Sequence, residues 1–252
     1  MDRKVVKLLK TEIFEILREI KLEIEEKMSS FLHKPLNSHR KNDGTLVTQM
    51  DLFISDIFEN KFNSKFPKIN FYSEEKQKEF KFPLIILDPI DGTREFAKGM
   101  DECAVSFGIY YSEAFDDPRN FSWIYNFKTG LEVSSEASKL STVKRDDLLG
   151  FVSNTEFEKG LYPEGNIRPV GSIAYKLALL INGDCDFVIT KKPKNIWDIA
   201  AGTHLCKKFG FEVNFLEGDS TKITSDLYQA PMIWCRKNNM NQLIDQFKIE
   251  KK

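Results

Sequence analysis

The chain is short of most features that settle function at a glance, and each shortage excludes something. No apolar run approaches the roughly 20 residues a membrane-spanning helix needs, and the N-terminal stretch is laced with charge in place of a secretion signal's apolar core. A cytoplasmic location is the expectation. The four cysteines, Cys103, Cys185, Cys206 and Cys235, lie far apart with no C-x-x-C pair, which argues against a disulfide framework or a thiolate zinc site. They read as small apolar packing residues. Of the three histidines, His33 and His39 fall in a polar loop and His204 on a predicted helix, leaving little material for a Ser-His-Asp triad or a zinc hydrolase. A formal net charge of −1 gives no global field to draw in nucleic acid or an anionic membrane. No G-x-G-x-x-G or Walker loop signals a nucleotide cofactor.

What the chain does have is the stretch Leu84-Ile85-Ile86-Leu87-Asp88-Pro89-Ile90-Asp91-Gly92-Thr93. Its apolar run reads as a strand buried on both faces that delivers Asp88 to a sheet edge, where Pro89 stops the strand and Asp91-Gly92 turns the chain. Two carboxylates so close repel one another unless a cation sits between them. With no His or Cys nearby, a hard divalent metal suits the position. An ordinary Asp-rich turn closing a strand is the alternative at this point.

Elsewhere the pattern alternates helices and strands. Val5, Leu8, Leu9, Ile13, Ile16, Leu17, Ile20 and Ile24 mark one face of an N-terminal helix. Thr48 caps a second helix with Asp51 at its third position, a variant of the capping box. Ile69 to Ser73 forms a strand leading into Glu74-Glu75, whose side chains leave an extended chain in different directions. Thr93 to Lys98 starts a short helix. Strands follow at Cys103 to Tyr111, Ser122 to Phe127 and Leu131 to Ser134. In the second half, Leu148 to Ser153 and Cys185 to Thr190 are strands, and Gly171-Ser172 opens a helix over Ile173 to Ile181. Asn195 caps a helix carrying Asp198, Phe211 to Leu216 and Met232 to Cys235 are late strands, and Asn241 to Ile249 is a terminal helix.

Four separated segments, Thr48-Gln49-Met50-Asp51, Phe71-Tyr72-Ser73-Glu74-Glu75, Asp88-Pro89-Ile90-Asp91-Gly92-Thr93 and Asn195-Ile196-Trp197-Asp198-Ile199-Ala200-Ala201-Gly202, stand in the order D…EE…DPIDGT…WDxxAG. In this the chain resembles, from about Lys41 to Gly210, the lithium-sensitive, magnesium-dependent phosphomonoesterases: the inositol monophosphatase superfamily, with its 3′(2′),5′-bisphosphate nucleotidases. The resemblance implies a mixed α-β fold, the layered αβαβα sandwich of the inositol monophosphatase and fructose-1,6-bisphosphatase type. An N-terminal α+β half (residues 1–140) would carry most metal ligands, and a C-terminal α/β half (141–252) Asp198 and substrate contacts. It implies two or three Mg²⁺ ions, with Glu74, Asp88 and the Ile90 carbonyl on one, Asp88, Asp91 and Asp198 on a second, and Glu75 in support. Asp51 and Thr93 would orient the attacking water, and amides near Gly92 would take phosphate oxygens, with Gly171 and Ser172 as further substrate contacts. A small phosphorylated substrate is expected, with no nucleic acid or membrane partner; a homodimer is compatible with all of this.

Substrate preference divides the family. Its inositol enzymes commonly place Glu seven residues before the WD aspartate; here that position is Lys191, followed by Lys192 and Lys194. An ammonium can donate to a phosphate but cannot accept from a polyol hydroxyl. The expectation is a 3′(2′),5′-bisphosphate nucleotidase cleaving 3′-phosphoadenosine 5′-phosphate, with Lys191 or Lys194 on the uncleaved phosphate. An inositol or sugar phosphatase, and a catalytically idle phospho-ligand-binding relative, are the alternatives.

Overall fold

Helix α1 (Arg3–Ser29) turns Ile13, Ile16, Leu17, Ile20 and Ile24 inward at the spacing read from the sequence. The computed structural model describes residues 3–30, 38–40, 46–76, 79–137, 145–162, 165–215, 222–224 and 227–247. A short antiparallel pair follows, β1 (Ser38–Arg40) and β2 (Leu46–Thr48), so His39 lies in a strand opposite Val47 and not in a loop. Lys34, Lys41 and His33 of that segment lie outside the described residues. Helix α2 (Gln49–Lys65) packs on α1 through Ile54, Phe58 and Phe62.

The chain then lays down β3 (Asn70–Ser73), β4 (Leu84–Asp91), α3 (Thr93–Ala97), β5 (Ala104–Tyr110), β6 (Phe121–Tyr125) and β7 (Glu132–Ser134). These five strands form one sheet in sequence order, with β3 parallel to β4 and every later pair antiparallel. Next come β8 (Gly150–Val152), α4 (Asn154–Glu158), β9 (Ile167–Pro169), α5 (Ile173–Asn182), β10 (Phe187–Thr190), α6 (Ile196–Lys208), β11 (Glu212–Phe215), β12 (Met232–Cys235) and α7 (Met240–Gln246). The second sheet is mixed, in the order β11-β12-β10-β8-β9. Helix α4 and strand β9 were not expected from the sequence, and residues 248–249 of the anticipated terminal helix lie outside the described residues.

Side-chain alternation sorts these elements into layers. Along β4, Ile85 and Leu87 join α1 and α2, whereas Leu84 and Ile86 join the core containing α5 and α6. Along β10 and β12, Val188, Met232 and Trp234 face α5 and α6, while Phe187, Ile189 and Ile233 face Leu243 and Phe247 at the C-terminal end. The result is the expected αβαβα sandwich, α1/α2, sheet, α5/α6, sheet, α7. Each fully buried large side chain contributes about 1.5–3 kcal/mol by leaving water. Helices α5 and α6 pack so closely that a Cβ on Gly202 would lie 2.3 Å from Leu177 Cδ1. That contact accounts for a glycine inside a helix, where it otherwise costs about 1 kcal/mol relative to alanine.

Candidate active site

The two aspartates of the DPIDGT stretch owe their position to a backbone irregularity. Pro89 does not end β4. The strand continues to Asp91, with Asp88 opposite Ser106 and Asp91 opposite Ala104, so Pro89 and Ile90 together face the single residue Val105. In a regular strand, residues three apart point to opposite faces. The extra residue of this bulge restores them to the same side: Ile90 turns to the α1/α2 core, while Asp91 reaches the start of α5. The chain therefore does not reverse between the carboxylates, as the Pro89 stop had suggested.

The α6 layer brings the third acid. Ser106 Oγ, across from Asp88, donates to the Trp197 carbonyl at 3.0 Å and fastens the first turn of α6 to the sheet. Asn195 caps that turn, its N–H donating to Asp198 Oδ2 at 3.0 Å. Carboxylate oxygens of Asp88, Asp91 and Asp198 thereby come within 4.8 Å of one another. Glu74 follows β3, its N–H donating to the Leu87 carbonyl at 3.2 Å, and lines the adjoining cavity.

Burial and mutual repulsion act on these groups together. Burial, then Glu74, Asp91 and Asp198, holds the Asp88 carboxyl well above the usual carboxylate range. Burial followed by Asp91 pushes Asp198 up to about 7, against the opposing charge of Lys194. Asp88 is 1% exposed, and its Oδ1 meets no hydrogen-bond donor among the described residues. A buried acceptor without a donor costs about 1–3 kcal/mol. Hard carboxylate oxygens in this arrangement suit Mg²⁺ and not a soft metal.

Beside the acids, the Thr48 N–H and hydroxyl both donate to Asp51 Oδ2, at 2.8 and 2.6 Å. This is the capping box read from the sequence. The other oxygen, Oδ1, accepts from Thr93 Oγ1 at 3.1 Å, and that hydroxyl also lies 2.8 Å from the Ile90 carbonyl. Burial raises Asp51 to about 6 despite the Thr48 hydrogen bonds, with Glu75 adding to the rise. Gly92 sits at φ +90°, where a Cβ would lie 2.6 Å from the Glu102 carbonyl.

Of these acids, Glu74 and Asp91 open onto a cavity of about 380 Å³ whose lining includes Thr93, Arg94, Gly171, Ser172, Lys176 and Lys194. Ser172 caps α5 at φ +52° and donates to Asp91 Oδ2 at 2.7 Å, while the Ala174 N–H donates to the same oxygen at 2.6 Å. A Cβ on Gly171 would lie 2.5 Å from Glu95 Cγ, so any larger residue there would displace that side chain. Of the two lysines expected to meet substrate, only Lys194 lines the cavity. Lys191 instead donates to the Leu161 carbonyl at 2.8 Å and lies over the Tyr162 ring, because its N–H is anchored to the Glu156 carboxylate. The sequence reading missed Lys176, although a lysine interrupting the apolar run Ile173–Ile181 was a visible signal.

A model of the family described as "Inositol monophosphatase family" matches residues 6–135 and 125–251. The chain is 26% identical over 238 residues to the inositol-1-monophosphatase of Bacillus subtilis, covering 83% of this chain and 87% of that protein. It is 28% identical over 145 residues to a fructose-1,6-bisphosphatase/inositol-1-monophosphatase of Archaeoglobus fulgidus, a match spanning 57% of the latter. It is 32% identical to the 3′(2′),5′-bisphosphate nucleotidase CysQ of Haemophilus influenzae over 85 residues, 31% of each chain. Among solved structures, an IMPase of Thermotoga maritima superposes with a TM-score of 0.76 at 20% identity, covering 94% of this chain and 96% of that one. An IMPase/NADP phosphatase complexed with Mg²⁺ and phosphate superposes with a TM-score of 0.75 at 18% identity, covering 98% and 97%. This chain belongs to the inositol monophosphatase family, whose members are magnesium-dependent phosphatases that hydrolyse phosphate monoesters.

Proposed function

We propose that this protein hydrolyses a phosphomonoester bearing a second anionic group, a nucleoside 3′,5′-bisphosphate being the best fit. The observation that carries the reading is Lys194. It lines the same cavity as Glu74 and Asp91 and its charge acts on Asp198, while its ammonium makes no hydrogen bond or ion pair among the described residues. Asp88, Asp91 and Asp198, with Glu74 beside them, would hold the Mg²⁺. Bound there, the metal would make a coordinated water more acidic and would offset charge on the phosphate. The protein's own groups do the rest. Asp51 holds the Thr93 hydroxyl where its lone pairs can orient a water, and the N–H groups after Gly92 offer donors to phosphate oxygens. Ser172 steadies Asp91 from α5.

Inositol phosphate is the second reading, favoured by the long alignment with the Bacillus enzyme. Phosphate release from adenosine 3′,5′-bisphosphate, inositol 1-phosphate and glycerol 2-phosphate, with Mg²⁺ and then with excess chelator, decides between them. The expected result is chelator-sensitive turnover with the highest kcat/KM for the bisphosphate. Faster hydrolysis of inositol 1-phosphate would give the assignment to the inositol enzymes, and no hydrolysis of any would mark an idle, ligand-binding relative.

A further inference from the structure

We infer that Lys76 is a positioning residue of the magnesium site, its ammonium pinning the turn that carries Glu74 and Glu75 to helix α2. The inference rests on the metal part of the reading above and adds a residue outside the cavity. Strand β3 ends at Ser73, and the chain closes at once into a tight turn with Glu74 and Glu75 at its tip. The Ser73 N–H donates to the Lys76 carbonyl at 3.2 Å. The Lys76 N–H returns to the Ser73 carbonyl at 3.2 Å and to Ser73 Oγ at 3.0 Å. On the sheet side, the Glu74 N–H donates to the Leu87 carbonyl, one residue before Asp88.

The other side of the turn is fastened by charge. Lys76 Nζ donates to Asp56 Oδ1 at 2.6 Å and to Glu59 Oε2 at 2.7 Å, both on α2. These two acids stand three apart on one helix face, where like charges repel, and the ammonium between them converts that repulsion into a bridge. An isolated surface ion pair contributes little. Here one cation meets two carboxylates, and the Glu59 side chain is 13% exposed, so the contact is less open to screening. The same helix begins with Asp51, whose Oδ1 holds the Thr93 hydroxyl. Glu75 and Asp51 are close enough to repel one another. The bridge from Lys76 therefore holds together two elements whose acids push them apart, and it sets where Glu74 stands relative to Asp51.

A role confined to stabilising α2 would leave the acids unaffected. The two roles separate when Mg²⁺ binding to the full chain is measured by calorimetry without substrate, beside melting of the metal-free protein. By charge alone, removing a cation near the acids strengthens Mg²⁺ binding, so a loss of affinity reports displacement of the turn. Lys76→Met is expected to weaken Mg²⁺ binding about three- to tenfold. The Mg²⁺ concentration that half-saturates phosphate release should rise by the same factor, while kcat at saturating Mg²⁺ changes by no more than about twofold. Lys76→Arg, which can bridge the same two carboxylates, should bind Mg²⁺ within about twofold of the unmodified protein. Should Lys76→Met fail to fold, Lys76→Gln keeps a polar group at the surface and is expected to show the same weakening. Unchanged or stronger Mg²⁺ binding in these variants, with or without a lower melting temperature, overturns the inference and leaves the phosphatase reading standing. Absence of Mg²⁺ binding by the unmodified protein overturns the metal reading and the inference with it. The calorimetric result holds whichever phosphomonoester the protein cleaves.

Discussion

Two acids of this protein are equally buried and meet opposite fates. Glu156, fully inaccessible on α4, accepts hydrogen bonds from the Tyr162 hydroxyl, from Thr190 Oγ1 at 2.8 Å and from the Lys191 N–H at 3.0 Å. Asp88 is as deep, yet its Oδ1 has no donor among the described residues and its charged neighbours include Glu74, Asp91 and Asp198. Burying a carboxylate is costly unless donors replace the lost water. The chain completes Glu156 from its own groups, so that acid belongs to the fold. Asp88 finds no such donor for Oδ1 among the described residues, which is consistent with the metal-ligand role proposed for it.

Asp88→Asn should break the contrast most visibly. Removing the charge at the centre of the acid cluster is expected to reduce turnover by three or more orders of magnitude, about 4 kcal/mol or more of transition-state stabilisation, while the metal-free variant melts at or above the unmodified protein. A near-normal rate would place the chemistry elsewhere. Glu156→Ala should do the reverse. It removes the acceptor shared by two hydroxyls and a backbone N–H, at about 3 kcal/mol of stability in denaturant titrations, and by the same amount with or without Mg²⁺. A loss that Mg²⁺ rescues would make Glu156 part of the ion site.

The third measurement sharpens the comparison through pH. Asp198 and Asp51 have folded pKa values of about 7 and about 6, above the ordinary aspartate value of 3.8. A raised folded pKa means stability that is full below about 4 and fades as pH rises through 6 and 7. Metal-free protein should lose up to about 1.4 kcal/mol per pH unit for each such proton. His204 acts in the opposite sense. Burial lowers it to about 3 from 6.5, so its contribution is present above 6.5 and lost on acidification. Saturating Mg²⁺ removes the carboxylate term and leaves the histidine term. The stabilisation by Mg²⁺ should therefore grow from pH 5 to pH 8; a constant difference would mean that Asp198 does not hold the ion.

Much of this arrangement was legible in the sequence because it is local. The capping boxes at Thr48-Asp51 and Asn195-Asp198, the strands of the first sheet and the inward face of α1 each follow from periodicity and turn chemistry within a few residues. The packing role of the cysteines held as well, since all four are free and buried. What local pattern could not show was decided across distance. Lys191 reads as a cation beside a phosphate site until Glu156 takes its N–H and turns the side chain to Leu161. Helix α4 and strand β9 are short elements held by tertiary contacts, with little periodicity to announce them. Lys176 looks misplaced in an apolar helix until the cavity beside it is seen.

The bulge in β4 makes register a carrier of chemical information. A chain of the same residues that paired with β5 one for one from Asp88 to Asp91 would keep both aspartates and lose only the irregularity. Yet alternation would then run unbroken over the three residues, and one of the two carboxylates would pass through the sheet toward α1 and α2. A search for this site by residue type alone would accept such a chain. Deleting Pro89 or Ile90 together with the bulge would instead leave the aspartates two apart and on one face. The pairing of the strand, as much as the identity of its residues, is what the arrangement depends on.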